Sequence, residues 1–240
     1  LADGGPRRNA AAVHMHNFVS RDGTPPDEMR RIGREQLKTY PSAEVRDESV
    51  LAITGEKGAF EVKLPSGSVT ARRILLATGM VDEPLAIEGY QELWGRSIFQ
   101  CPYCHGWEVQ DRAFAFLAPA PEMLEFTLLL RGWSRSVLAL TNGAFEVPAE
   151  VAAKLSKGGV KLEQREIARL VAEKGELASV AFTVGPDVPV EILFSRPPQR
   201  QVDLVRALGL ALDPMGFVQV EPMHRETSVP GIYAGGDLMT

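Results

Sequence analysis

The sequence predicts an α/β fold built on parallel sheet, and three observations carry that prediction. Strand-like and helix-like segments alternate at βαβ spacing from residue 111 to residue 162. Two apolar runs without alternation, 74–77 and 232–234, each end in glycine, as strands covered on both faces do. The chain has 240 residues, which suits two small domains or one domain interrupted by another.

The elements follow in order. Gly4-Gly5-Pro6 reads as a turn after a strand end. Pro25-Pro26 opens a helix through about Tyr40, with Pro26 near the first helical position and Pro41 as its stop. Met29, Ile32 and Leu37 mark its buried face. Phe60, Val62 and Leu64 alternate with Glu61 and Lys63, the period of a half-buried strand. Pro65-Ser66-Gly67 is turn chemistry, and Val69 and Ala71 begin the partner strand. The run 74–77 ends in Thr78-Gly79. A short strand at 97–100 leads into a cysteine pair. Strands at 113–117, 137–140 and 160–162 then alternate with helices at 122–131 and 149–157. A β-meander covers roughly 168–193, a short helix 202–208, and the last strand runs into Gly235-Gly236-Asp237.

Composition narrows the function classes. A formal net charge of −5 argues against a nucleic-acid partner, which selects a basic surface. No apolar run approaches the roughly 18 residues of a membrane span. The first eight residues show no apolar signal core, so cytoplasm is the expected compartment.

The sharpest feature is Cys101-Pro102-Tyr103-Cys104-His105-Gly106. It holds the only two cysteines of the chain, three residues apart. Dithiol exchange passes through a mixed disulfide, so two thiols must meet cheaply. A helix that starts at the first cysteine places both on one face. Pro102 suits the first helical position, and Cys101 at the helix N-terminus is favoured as thiolate. His105, titrating near neutrality, is placed to take or give the proton of a leaving thiolate. Half a zinc site is the competing reading, with His14, His16 and His224 as the remaining soft ligands, and a closed site needs four. A glutaredoxin-like domain also uses CPYC. Such a domain places the motif after its first core strand, whereas here it sits mid-chain.

Three segments bear a resemblance that decides among these. Arg73-Ile74-Leu75-Leu76-Ala77-Thr78-Gly79 resembles the ATG strand of two-dinucleotide-binding-domain flavoproteins. Residues 227–237, TSVPGIYAGGD, resemble their C-terminal FAD motif. Residues 101–108, CPYCHGWE, resemble the redox motif of thioredoxin-reductase-like flavoproteins. Order and spacing match that family over nearly the whole chain. The resemblance implies a three-layer Rossmann-like architecture. A discontinuous FAD domain, 1–110 and 200–240, would carry an NAD(P)-like insert at 111–199. It implies FAD as cofactor, with Thr78, Gly79, Gly236 and Asp237 at the flavin site and Asp237 on its ribityl–pyrophosphate region. Asp3 would accept from the adenosine ribose, Arg8 and Asn9 would lie near phosphates or adenine, and Asn17 would touch the isoalloxazine. Cys104 would face the flavin, Cys101 the substrate, and His105 would occupy the family's acid position. A homodimer acting on a small dithiol or a thioredoxin-like protein is also implied.

Two departures from the family pattern shape the expectation. No GxGxxG occurs, and the chain ends at Met239-Thr240, where the family continues. The chain therefore reads as truncated at both ends, with weak FAD binding expected of residues 1–240. The glycine-rich turn of an NADPH domain is replaced by Leu117-Ala118-Pro119-Ala120-Pro121-Glu122. Its prolines lack donors for a pyrophosphate, and Glu122 adds a repelling charge. Thr141-Asn142-Gly143 stands where an arginine pair reads the 2′-phosphate. NADPH is therefore doubtful as donor. A dithiol oxidase passing electrons to oxygen and a disulfide reductase fed by ferredoxin or another flavin are the two expected uses. An NADPH-dependent thioredoxin reductase and a non-catalytic scaffold are the alternatives.

Overall fold

The structure, a computed structural model, describes residues 1–5, 7–10 and 12–239. Pro6 of the expected turn and Thr240 lie outside the described residues. The chain forms two compact units, residues 1–83 with 199–240, and residues 84–198.

In the first unit, Ala52–Thr54, Phe60–Leu64 and Gly67–Ala71 form an antiparallel sheet. Phe60, Val62 and Leu64 are buried while Glu61 and Lys63 face water, as the alternation predicts. Helix Pro26–Leu37 has Pro26 in its first turn and leaves Met29, Ile32 and Leu37 half-buried. It stops before Tyr40, its last residues passing into turns. Strand Ile74–Leu76 pairs in parallel with Ile232–Ala234. Leu76, Ile232 and Ala234 pack with Phe60, Met80 and Leu238. Leu75, expected to be covered, is 70% exposed, so among the described residues this two-stranded pair buries only one face. An antiparallel ribbon joins Met80–Asp82 to Gln199–Gln201, beside both points where the chain passes between units.

In the second unit, five parallel strands lie in the order Ile98–Phe99, Ile192–Ser195, Phe114–Leu117, Val137–Leu140, Lys161–Glu163. The three central strands are buried at every position, which explains their unbroken apolar runs. Ala115, Leu117, Leu138 and Leu193 face a meander of Ile167–Glu173, Glu176–Phe182 and Val188–Pro189. Phe114, Phe116, Ala139 and Phe194 face helices Phe126–Leu130 and Ala149–Lys157. The layers are meander, sheet and helices. The meander is shorter than the sequence suggests, because residues 192–195 leave it for the parallel sheet.

Two differences bear on the site. Ile98–Phe99 pairs with Leu193 and Phe194, so the strand before the cysteines belongs to the second unit. The units divide at 83/84, upstream of the 110/111 boundary read from sequence. The helix expected at 122–131 is a 3-10 turn, Pro121–Met123, followed by Phe126–Leu130. Pro121 opens the 3-10 turn at its first position, where a missing N–H costs no helical hydrogen bond.

Candidate functional site

The dithiol is held by one helical turn, Pro102–His105, directly after strand Ile98–Phe99. Cys101 is its N-cap residue, with extended backbone, and Cys104 N donates to Cys101 O at 3.2 Å. Cys101 is half-buried, Cys104 is exposed, and no disulfide joins them. Gly106 closes the turn by donating to Pro102 O at 2.6 Å. A Cβ at Gly106 would stand 2.5 Å from that oxygen and 3.0 Å from the Trp133 ring, so the position has no room for a side chain.

The electrostatics favour a thiolate at Cys101. Its pKa falls from 9.0 to about 6. The Cys104 thiol donating to Cys101 Sγ is the largest cause, burial opposes it, and the backbone N–H groups of Cys104 and Tyr103 and the charge of Arg196 assist. The Arg196 guanidinium lies 4.7 Å over the Phe126 ring. His105 stacks on Phe99 with ring centroids 4.3 Å apart. Burial pushes its pKa below 6.5, against the pull of Glu108 and of the Cys101 backbone. The imidazole is therefore neutral near pH 7, and its buried Nδ1 has no hydrogen-bond partner among the described residues. A neutral imidazole beside a thiolate can accept a thiol proton and return it. Tyr103 and Trp107 are exposed around the pair, with Tyr103 edge-on to Trp133.

The residues expected around a flavin lie in the first unit. The parallel pair sets Gly79 and Gly235-Gly236-Asp237 at neighbouring strand ends, and Gly235 N donates to Leu76 O at 2.9 Å. Gly79 and Gly236 have φ of 65° and 81°, with nothing within 4 Å of a built Cβ. Left-handed glycines with open space around them allow close approach of a ligand to the backbone. The Asp237 side chain is 64% exposed, and Arg8 Nη1 donates to its Oδ2 at 3.2 Å. Asp3 N donates to Arg46 O at 2.9 Å. Arg30 Nε and Nη2 donate to Asp3 Oδ2 at 3.1 and 2.5 Å, and Arg34 Nη2 at 3.3 Å. All three donors meet one oxygen, Oδ2.

Arg8, Asp237, Thr78 and Gly79 thus occupy one end of the unit's parallel pair. Arg8 faces carboxylates there, Asp82 as well as Asp237. Asn9 lies in an exposed turn, its carbonyl accepting from Ala12 N. Asn17 has φ 63° and donates its N–H to Asp22 Oδ1 at 2.9 Å inside the loop 15–24. Sequence reasoning missed Asp82, Arg30, Arg34 and Arg196. Only the arginines 30 and 34 left a signal, their i, i+4 spacing on one helix.

The carboxyl ends of strands Phe114–Leu117, Val137–Leu140 and Ile192–Ser195 open on a crevice of about 320 Å³. Its lining includes Ala118, Pro119, Thr141, Ser195 and Arg196. Open α/β sheets bind ligands at this place. Here Ala118 N already donates to Leu140 O at 2.9 Å, and Pro119 and Pro121 have no donor. Among the described residues no group of three His, Cys, Asp or Glu could hold a metal, and no helix is long and apolar enough to cross a membrane.

No protein-family model matches the chain. Individual relatives do. A thioredoxin reductase of Claviceps purpurea, tcpT, is 31% identical over 98% of this chain and 77% of its own. The solved structure of an oxidoreductase from Agrobacterium tumefaciens superposes with a TM-score of 0.91 at 34% identity, over 100% of this chain and 81% of that one. TrxB of Bacillus anthracis, assigned as a thioredoxin reductase, gives a TM-score of 0.89 at 30% identity over 100% and 81%. The architecture of both units and these likenesses agree: the chain belongs to the thioredoxin-reductase-like family of disulfide oxidoreductases.

Proposed function

We propose that the protein is an FAD-dependent thiol–disulfide oxidoreductase that works through Cys101 and Cys104 without NADPH, as a dithiol oxidase. The single observation that carries the thiol–disulfide chemistry is the geometry of the pair: Cys101 caps the helical turn that bears Cys104, and the Cys104 thiol donates to Cys101 Sγ, which lowers the Cys101 pKa to about 6. The strand-end glycines and the carboxylates of Asp3 and Asp237 fit a flavin nucleotide. Asp237 would hold its ribityl–pyrophosphate region and Asp3 its adenosine ribose. The 240 residues span 67–78% of several relatives, so this reading concerns the whole protein.

With the pair oxidised, a substrate thiolate attacks Cys101 Sγ and the Cys101–Cys104 bond breaks. Cys104 leaves as thiolate and takes a proton from His105, which had accepted one from the substrate thiol. The second substrate thiolate then attacks the substrate sulfur of the mixed disulfide. Cys101 leaves readily because its thiolate is stable at neutral pH. The substrate ends as a disulfide and the enzyme as a Cys104 thiol with a Cys101 thiolate; two electrons have moved to the pair, one proton has passed through His105 to Cys104, and the proton of the second substrate thiol has gone to solvent. FAD, held by the strand-end glycines with Asp237 and Asp3, would supply the two-electron oxidising capacity that the reduced pair needs, with oxygen as final acceptor and hydrogen peroxide as product.

The missing turn donors and Glu122 support the exclusion of NADPH. A reductase fed by ferredoxin or another flavin runs the same exchange in reverse. An NADPH-dependent thioredoxin reductase is the second reading, favoured by the relatives' names. The resemblance also supports a homodimer acting on a small dithiol or a thioredoxin-like protein. The test is an anaerobic titration of the full-length protein, first with NADPH and then with dithiothreitol, following flavin absorbance. Bleaching by dithiol alone is expected, with peroxide formed when air is admitted. Rapid bleaching by micromolar NADPH would overturn the proposal, and unchanged cellular function with Cys101→Ser would favour a scaffold.

A further inference from the structure

Arg8 spreads its guanidinium between two carboxylates. Nε and Nη2 donate to Asp82 Oδ2 and Oδ1 at 2.8 and 2.6 Å, a two-pronged pair, while Nη1 reaches Asp237 Oδ2 at 3.2 Å. The bond to Asp82 is the largest cause of the raised pKa of Arg8. The Asp82 side chain is 11% exposed against 64% for Asp237. Asp82 also ends strand Met80–Asp82, with its backbone held opposite Gln199. The enclosed, strand-borne carboxylate is therefore the fixed partner. A planar fork engaged on both prongs sets the orientation of the remaining donor. That donor meets Asp237 at its Oδ2.

We propose that Asp82 is a positioning residue of the flavin site: through Arg8 it holds the Asp237 carboxylate in the orientation that accepts a ligand hydroxyl. The inference rests on the reading of Asp237 as a flavin contact. Without the Asp82 carboxylate the fork is released, and Asp237 is the neighbouring anion that receives it. A fork closed on both Asp237 oxygens competes with the ligand hydroxyl for the same lone pairs. The ribbon of Met80–Asp82 with Gln199–Gln201 thereby bears on cofactor affinity.

The test titrates full-length apoprotein variants with FAD, following the quenching of flavin fluorescence, with circular dichroism melting as the fold control. Asp82→Asn is expected to raise the FAD Kd about tenfold, the scale of one lost charge-assisted hydrogen bond. Asp237→Asn raises it at least as much. In the Asp237→Asn background, Asp82→Asn adds less than about twofold, because it has no carboxylate left to act through. Arg8→Lys keeps the charge without the fork; it matches Asp82→Asn and carries the test if that variant does not fold. Additive losses in the double variant, or an unchanged Kd in Asp82→Asn and Arg8→Lys, overturn the inference. An unchanged Kd in Asp237→Asn instead removes Asp237 from the flavin site, a separate and distinguishable failure.

Discussion

The thiolate at Cys101 depends first on its neighbour in the CxxC, and that dependence can be taken apart. In the reduced protein the Cys101 pKa is about 6, against an ordinary 9.0, and the Cys104 thiol hydrogen bond is the largest cause. Replacing Cys104 by alanine removes the donor and leaves the backbone N–H groups and Arg196 in place. A hydrogen bond to a charged group is worth about 1.5–3 kcal/mol, and 1.36 kcal/mol corresponds to one pH unit. Cys101 is half-buried, so solvent screening favours the low end. Cys104→Ala should therefore move the midpoint up by about one pH unit. Cys104→Ser keeps a hydroxyl donor and should stay near the reduced wild type. The assay is the pH profile of alkylation by iodoacetamide, with thiolate absorbance as a second reading. The sign in stability follows from linkage. A pKa depressed by folding stabilises the reduced fold fully above about 9, and this stabilisation is lost as pH falls through about 6. A wild-type midpoint near that of an ordinary thiol, or an unmoved midpoint in Cys104→Ala, would refute the reasoning.

Three further outcomes are expected. Arg196→Gln should raise the same midpoint by less than Cys104→Ala does, and the difference should shrink at high salt, since Arg196 acts as the smallest, purely coulombic cause. Gly106→Ala should lower stability by about 1–3 kcal/mol in urea unfolding, because its Cβ meets the Pro102 carbonyl at 2.5 Å and the Trp133 ring at 3.0 Å. Phe194→Ala should cost about 3–5 kcal/mol, since the ring is fully buried and packs with Phe99 and Phe114 at the centre of the parallel sheet.

The parallel layer was legible because its strands are buried at every position and so read as unbroken apolar runs, as at 114–117 and 137–140. Strand 60–64 was legible for the opposite reason, its strict alternation. The broken helix after Pro121 was less so: apolar periodicity spans 122–131 and does not separate a 3-10 turn followed by a short helix from one continuous helix. Leu75 misled because two-sided burial depends on what covers a strand, and the strand's own residues do not encode that.

By itself the sequence determined the dithiol and the turn that bears it, because Cys-Pro-x-Cys-His is local chemistry: a proline that starts a helix and two thiols three apart. It also determined the loss of donors in the turn 117–122, since proline has none in any fold. Only the tertiary structure decided which unit carries the dithiol, through the pairing of Ile98–Phe99 with 193–194. It alone set Arg8 between Asp82 and Asp237, 74 and 229 residues away along the chain. Contacts at that separation are made by sheet pairing and packing, and they leave no period or spacing in the sequence to read.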